Sequence, residues 1–126
     1  MPQKQKLFDA EYRLASIVWE TEPIQSRELC KICEQRLGWK RTTTYTVLKK
    51  LCNKGILQNE SAVVTSLAKK EQVQQQEGQA VLDKAFGGSL PRFIAAFLGE
   101  QGLSDAEAQE IRKLIDDYQT KQGKGG

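Results

Sequence analysis

Few residues of this 126-residue chain are able to do covalent or metal chemistry. There is no histidine, which removes the usual general base and the commonest metal ligand. Three cysteines are present: Cys30 and Cys33, in the run C-K-I-C, and Cys52. A structural zinc site wants four ligands at tetrahedral geometry, and three thiols without imidazole do not supply them. Cys33 and Cys52 fall in apolar helical stripes, where a free cysteine packs as a small hydrophobe. Cys30 lies nearer the polar side and is the one placed to react, which leaves a cysteine-based redox or metal-responsive regulator as an alternative role. Carboxylates such as Asp116 and Asp117 are scattered as solvated surface groups, and no glycine-rich phosphate loop occurs. The chain is therefore expected not to be an enzyme, with no catalytic residue, no metal site and no cofactor.

Charge points instead to a polyanion. The net charge of +3 conceals an asymmetry: residues 1–70 hold 13 Lys/Arg against 7 Asp/Glu, and residues 71–126 hold 6 against 9. The densest stretch is 35–59, where Arg36, Lys40, Arg41, Lys49, Lys50 and Lys54 stand without one carboxylate. Such a segment suits the phosphates of nucleic acid. Within it, WKRTTTYTVLKKLCNKG carries Thr42, Thr43, Thr44 and Thr46, four β-branched residues of mediocre helix propensity. At about 100° per residue, Thr44, Val47, Leu48, Leu51 and Cys52 share one face. Thr42, Thr46, Lys49 and Asn53 share the opposite one, with Thr43 and Lys50 at one edge and Tyr45 at the other. Short hydroxyls toward the helix start and cations toward its end are the arrangement of a DNA-reading helix, hydroxyls and methyls meeting base edges while Lys40, Arg41, Lys49, Lys50 and Lys54 meet phosphates. Thr44, on the apolar face, is expected in the core.

The elements that must position this helix follow from periodicity. Ala10, Leu14, Ile17 and Val18 predict a first helix over about 9–20, with Asp9 as its cap. Pro23 interrupts, Ser26 offers a new cap, and Leu29, Ile32, Cys33 and Leu37 carry a second helix to Gly38. The third helix runs from about Lys40 to Asn53 and stops at Gly55. Ile56–Leu57 and Val63, Val64 and Leu67 predict two short strands around a polar turn at Asn59–Ser61. Three helices and a hairpin outline a winged helix-turn-helix over residues 7–70. A module of this shape that binds protein rather than DNA is a further alternative, disfavoured by the charge distribution.

The remainder reads as all helix: a Gln/Lys/Glu/Ala-rich stretch over 68–86, a stripe of Leu90, Phe93, Ile94, Phe97 and Leu98, and a last helix opened by a Ser104/Glu107 capping box with Ile111, Leu114, Ile115 and Tyr118 on one side. About 55 residues cannot hide that much apolar stripe alone. Phe93, Phe97, Leu98, Ile111, Leu114, Ile115 and Tyr118 are accordingly expected to form a homodimer interface, in a helical dimerisation region over 71–120, with 121–126 a disordered tail. The fold class is mainly α with a small β-wing. No apolar run approaches the eighteen residues of a membrane span, and MPQKQKLF lacks the apolar core of a signal peptide, so a cytoplasmic protein is expected.

Three stretches, AEYRLASIVWE, LGWKRTTTYTVLKKLCNKGIL and FGGSLPRFIAAFLGEQGLSDAEAQEIRKLI, resemble the penicillinase and methicillin-resistance repressor family, which also includes copper-responsive repressors. The resemblance covers residues 8–118. It implies a homodimeric winged-helix repressor on a palindromic operator with TACA-like half-sites, next to genes for a membrane sensor protease and an antibiotic-resistance function. The family's base-reading positions fall on Thr42, Thr43, Tyr45 and Thr46, with tyrosine at 45 where the β-lactam-responsive members carry a basic residue. The wing, NESAVVTS, is short and lacks basic residues. Inducing cleavage in the β-lactam branch maps onto Ala96–Phe97; the phenylalanine is present, but alanine replaces the family's asparagine. The paired Cys-x-Cys motifs of the copper branch are absent, since no cysteine follows Cys52.

Overall fold

The computed structural model describes residues 7–125. The element order is α1 (Asp9–Thr21), β1 (Ile24–Gln25), α2 (Ser26–Leu37), α3 (Arg41–Asn53), β2 (Leu57–Glu60), β3 (Val63–Ser66), α4 (Lys70–Ala85), α5 (Leu90–Glu100) and α6 (Asp105–Gly125). The chain divides into two units, one running to Val81 and the other from Leu82. That division falls within α4 rather than at residue 70. The start of α4 belongs to the first unit because Val73 is buried in its core, and Glu77 Oε2 accepts the Leu7 N–H at 3.5 Å.

In the first unit α1, α2 and α3 surround a core of Leu14, Val18, Leu29, Cys33, Leu48 and Leu51. The stripes expected from periodicity are the faces that meet there. Helix boundaries shift by a residue where capping differs from expectation. Phe8, not Asp9, is the N-cap of α1, and its N–H donates to Glu11 Oε1 at 2.9 Å. Gln25, not Ser26, caps α2. Gly38 (φ 69°) takes the left-handed conformation that ends α2, and its N–H reaches the Cys33 and Glu34 carbonyls, a geometry a residue with Cβ adopts only at a cost.

The sheet has three strands, not two, in the order β1-β3-β2 and antiparallel throughout. β1 is only Ile24–Gln25 and pairs with Val64 and Val63, too short to leave a period-2 signal. The β2–β3 turn falls on Ser61 and Ala62, both at positive φ (51° and 64°), rather than on Asn59–Ser61. Two consecutive left-handed residues give the turn whose twist matches that of the flanking strands. The far end of α1 is tied to β3 by Glu22, whose carboxylate accepts from Ser66 N–H at 2.7 Å and from Ser66 Oγ.

The second unit holds the end of α4, then α5 and α6. Ser89 caps α5, accepting from Arg92 N at 3.2 Å with Pro91 in the first turn. α5 continues through Gly99 to Glu100. The Ser104/Glu107 box opens α6, with Glu107 N donating to Ser104 Oγ at 3.1 Å and Ser104 N to Glu107 Oε1 at 3.3 Å. α6 extends over 121–125, expected as disordered tail; Gly126 lies outside the described residues.

Two polar groups inside the first unit generate predictions. Glu11 is 2% exposed and accepts from Lys54 Nζ at 2.6 Å. Burial raises its pKa, but the Lys54 hydrogen bond, the Phe8 N–H and the charges of Lys54 and Lys50 outweigh this and hold it below its ordinary 4.5. A folded-state pKa below the unfolded one contributes stability present above about 4.5 and lost as pH falls through the folded value. Glu11→Gln should destabilise by about 3 kcal/mol at neutral pH, because it breaks a largely buried ion pair. Urea midpoints should show that deficit shrinking below pH 4.5, and Glu11→Leu with Lys54→Met should recover most of it; a Gln variant as stable as wild type would refute the pairing. Thr44 Oγ1 is buried, and what faces it is the Cys33 thiol, a weak hydrogen-bonding group. Thr44→Val keeps the shape, removes a buried hydroxyl that is poorly satisfied and should stabilise by up to about 1 kcal/mol, as read from thermal and urea denaturation.

Candidate nucleic-acid interface

α3 is held by its apolar side: Thr44, Val47, Leu48 and Leu51 are buried, and Trp39 and Tyr45 pack partly against the same core. What it turns outward is the face expected. Thr42, Thr43, Thr46, Lys49, Lys50 and Asn53 are exposed, as are Lys40 and Arg41 at its start. Lys40, Arg41, Lys49 and Lys50 have no carboxylate partner among the described residues, so their charges are not already neutralised. α3 has no side-chain cap and no acidic residue in its first turn, which leaves its first N–H groups free to meet an anion.

The hydroxyls are prepared in a particular sense. Thr46 Oγ1 donates to the Thr42 carbonyl at 2.9 Å. Its proton is thereby used, and the exposed hydroxyl keeps its capacity to accept. A hydroxyl in this state accepts from the amino groups of adenine or cytosine, and its methyl packs against the methyl of thymine.

Two residues assigned from sequence are less exposed than the rest of that face. Lys54 does not join the solvent-facing cations: its side chain is only 16% exposed, on Glu11 and 4.8 Å from the Phe8 ring centroid. A carboxylate 43 residues earlier in the chain has captured it. Tyr45 is half-buried, and its hydroxyl donates to Ser26 Oγ at 3.3 Å.

The structure adds a residue that sequence reasoning missed. Arg27, in the first turn of α2, borders two adjoining surface clefts, one of about 350 Å³ shared with Arg41, Tyr45 and Ser61, and one of about 670 Å³ shared with Cys30, Lys31 and Arg41. Arg27 carries no ion pair among the described residues. The packing of α2 against α3 places it beside Arg41, and the β2–β3 turn closes over the same end of α2 through Ser26 N to Ala62 O at 2.8 Å. Residue spacing gave no sign of that.

The cysteines are all free thiols. Cys30 and Cys33 are both buried, Cys30 more so than its place near the polar side suggests. Burial pushes the Cys33 thiol up, with a smaller push from Cys30, against the lowering effects of the Thr44 hydroxyl and Arg36. Burial likewise raises Cys52 against the Asn59 backbone. Thiols held protonated are poor nucleophiles and poor ligands, as packing residues require. Among the described residues no cluster of His, Cys, Asp and Glu is arranged to hold a metal ion. No described helix is long and apolar enough to cross a membrane.

In the second unit, Phe86, Phe93 and Phe97 stack edge to face, with centroids 5.3 and 4.7 Å apart. Phe97, Leu98, Ile111, Leu114, Ile115 and Tyr118 remain exposed, and with Phe93 they make up the expected dimer face. Ala96 and Phe97 both lie inside α5 and are exposed.

Known proteins resemble the chain along nearly its whole length. It is 22% identical over 120 residues to the penicillinase repressor of Bacillus licheniformis, covering 92% of this chain and 94% of that protein. It is 21% identical over 114 residues, covering 87% of this chain and 78% of the relative, to an uncharacterized 16.5 kDa protein in the ptsI 3′ region of Latilactobacillus sakei. Residues 7–117 match the penicillinase repressor family, and the chain belongs to that family.

Proposed function

We propose that the protein is a homodimeric transcriptional repressor that binds a palindromic operator through the outer face of α3. The family is one of DNA-binding repressors and not a class of enzymes. The observation that carries the finer reading is the outer face of α3, where Thr42, Thr43 and Thr46 stand exposed beside the unpaired cations Lys40, Lys49 and Lys50. The threonines read base edges, and the lysines fix register on the phosphates. The short β2–β3 hairpin contains no Lys or Arg and adds little to phosphate binding.

The exposed apolar side chains of α5 and α6 supply the reason for a dimer. Phe97, Leu98, Leu114, Ile115 and Tyr118 are each between 45% and 65% exposed, a concentration a stable soluble chain covers. A second copy covers it symmetrically and sets two α3 helices at a fixed spacing on a two-fold operator. Occupancy of the operator excludes polymerase. Induction by a membrane sensor protease pathway, with cleavage at Ala96–Phe97, breaks α5 and parts the DNA-binding unit from α6, which weakens the dimer. An antibiotic-resistance gene in the cytoplasmic circuit of a bacterium is the regulated target this implies.

Gel shifts on the chain's own upstream region test the reading. Affinity should fall linearly in log–log against salt, with a slope of roughly −0.9 per phosphate contact, and Thr46→Ala should relax base preference by about 1–3 kcal/mol at one position. DNA binding absent even at low salt would favour a protein-interaction module instead. Leu114→Arg should yield a folded monomer in sedimentation, with operator affinity reduced by about 10²-fold or more once the half-sites are bound singly; a dimer that persists would place the interface elsewhere.

A further inference from the structure

Tyr45 is the residue at the reading edge of α3 whose hydroxyl turns back into the protein. It donates to Ser26 Oγ at 3.3 Å. Ser26 is itself 6% exposed, and its N–H is bonded to the Ala62 carbonyl at 2.8 Å. The acceptor is thus fixed by α2 and the β2–β3 turn together, and the Tyr45 ring is held in one orientation by elements other than its own helix. Over that ring lies the guanidinium of Arg41, one turn earlier, with its central carbon 5.8 Å from the centroid. Arg41 is exposed and has no carboxylate partner among the described residues.

We infer that Tyr45 does not read a base itself but positions Arg41, and that Arg41 reads a guanine in the major groove at one edge of each half-site. The inference rests on the DNA-binding function proposed above. Three observations favour a base over a phosphate as the target of Arg41. It is the first residue of α3, and the N-terminal residues of a recognition helix are those that meet base edges. A guanidinium held over an aromatic ring loses part of its freedom, and its paired donors match the O6 and N7 acceptors of guanine. Lys40, Lys49 and Lys50 are exposed and supply charges for the phosphates without Arg41. Tyrosine is thereby a chemically sensible residue at position 45: its apolar ring is the platform, and its hydroxyl is the tether.

The experiment is a binding series on the wild-type operator and on variants with each base pair of a half-site replaced in turn, each protein first checked for native circular dichroism and dimer state. Arg41→Lys keeps the charge and loses the plane. It should leave the salt slope unchanged and reduce preference for one G·C pair by roughly ten- to a hundredfold. Tyr45→Leu keeps apolar packing and loses the platform, and should weaken discrimination at that same pair and no other. Tyr45→Phe keeps the platform and loses the tether, with a smaller loss at that pair. If Arg41→Lys weakens binding evenly across all operator variants, Arg41 is a phosphate contact and the inference fails. It fails too if Tyr45→Leu relaxes a pair that Arg41→Lys leaves alone. A wild-type protein without any base preference would sink the DNA-reading function itself, a distinct outcome from either.

Discussion

The outer face of α3, proposed to meet DNA, is held still by what happens on its buried side, where an ion pair fixes one end of the helix. Glu11 enters the core from α1 and takes Lys54, just past the end of α3, at 2.6 Å. The carboxylate also accepts the N–H of Phe8, so one side chain caps the start of one helix and anchors the end of another. Such a pair contributes modestly to net stability, since desolvation offsets attraction. Its effect is on geometry: a displaced α3 breaks the pair inside a poorly solvated site. Toward the other end, Tyr45 and Ser26 make the corresponding tie to α2. Between the ties, Val47, Leu48 and Leu51 press α3 onto the core.

Lys54 shows how this constraint selects function among similar side chains. Six cations stand in residues 35–59 without a carboxylate, and sequence cannot tell which ones reach solvent. Folding draws Lys54 inward to Glu11 and pairs Arg36 with Glu20 at 3.1 Å. Those left unneutralised, Lys40, Arg41, Lys49 and Lys50, lie along the outer side of α3 or at its start. Within that stretch the exposed positive charge therefore lies beside the threonines of α3.

Much of this was legible in the residues. The three helices of the first unit, the outward register of Thr42, Thr46, Lys49 and Asn53, and the burial of Thr44 all follow from one local quantity, the 3.6-residue period, which a single helix expresses by itself. The capping box at Ser104 is equally local. What sequence did not disclose depends on partners far along the chain. β1 exists because Ile24 and Gln25 meet Val64 and Val63, 40 and 38 residues later. The fate of Lys54 depends on a residue 43 positions away, and the orientation of Tyr45 on one 19 positions away. Arg27 lies beside Arg41 through the packing of α2 on α3. The exposed threonines of α3 follow from sequence because they share a helix, and the residues that steady that helix do not follow because they lie elsewhere in the chain.

The threonine content of α3 is explained by the same division. Four β-branched residues cost a helix a few tenths of a kcal/mol apiece relative to alanine, about 2 kcal/mol together. Burying Val47, Leu48 and Leu51 contributes about 1.5–3 kcal/mol each, so tertiary packing and not propensity decides that α3 forms. Once packing carries the helix, its outer positions are free to hold side chains chosen for something other than helicity. Thr42, Thr43 and Thr46 are short enough to let the backbone approach a groove floor, and branching restricts their rotamers, so little entropy is lost when they dock. A longer hydroxyl-bearing or amide side chain would reach farther and lose more order on binding. Poor helix formers on a helix whose stability comes from its other side are thus a consistent solution for a rigid reading surface.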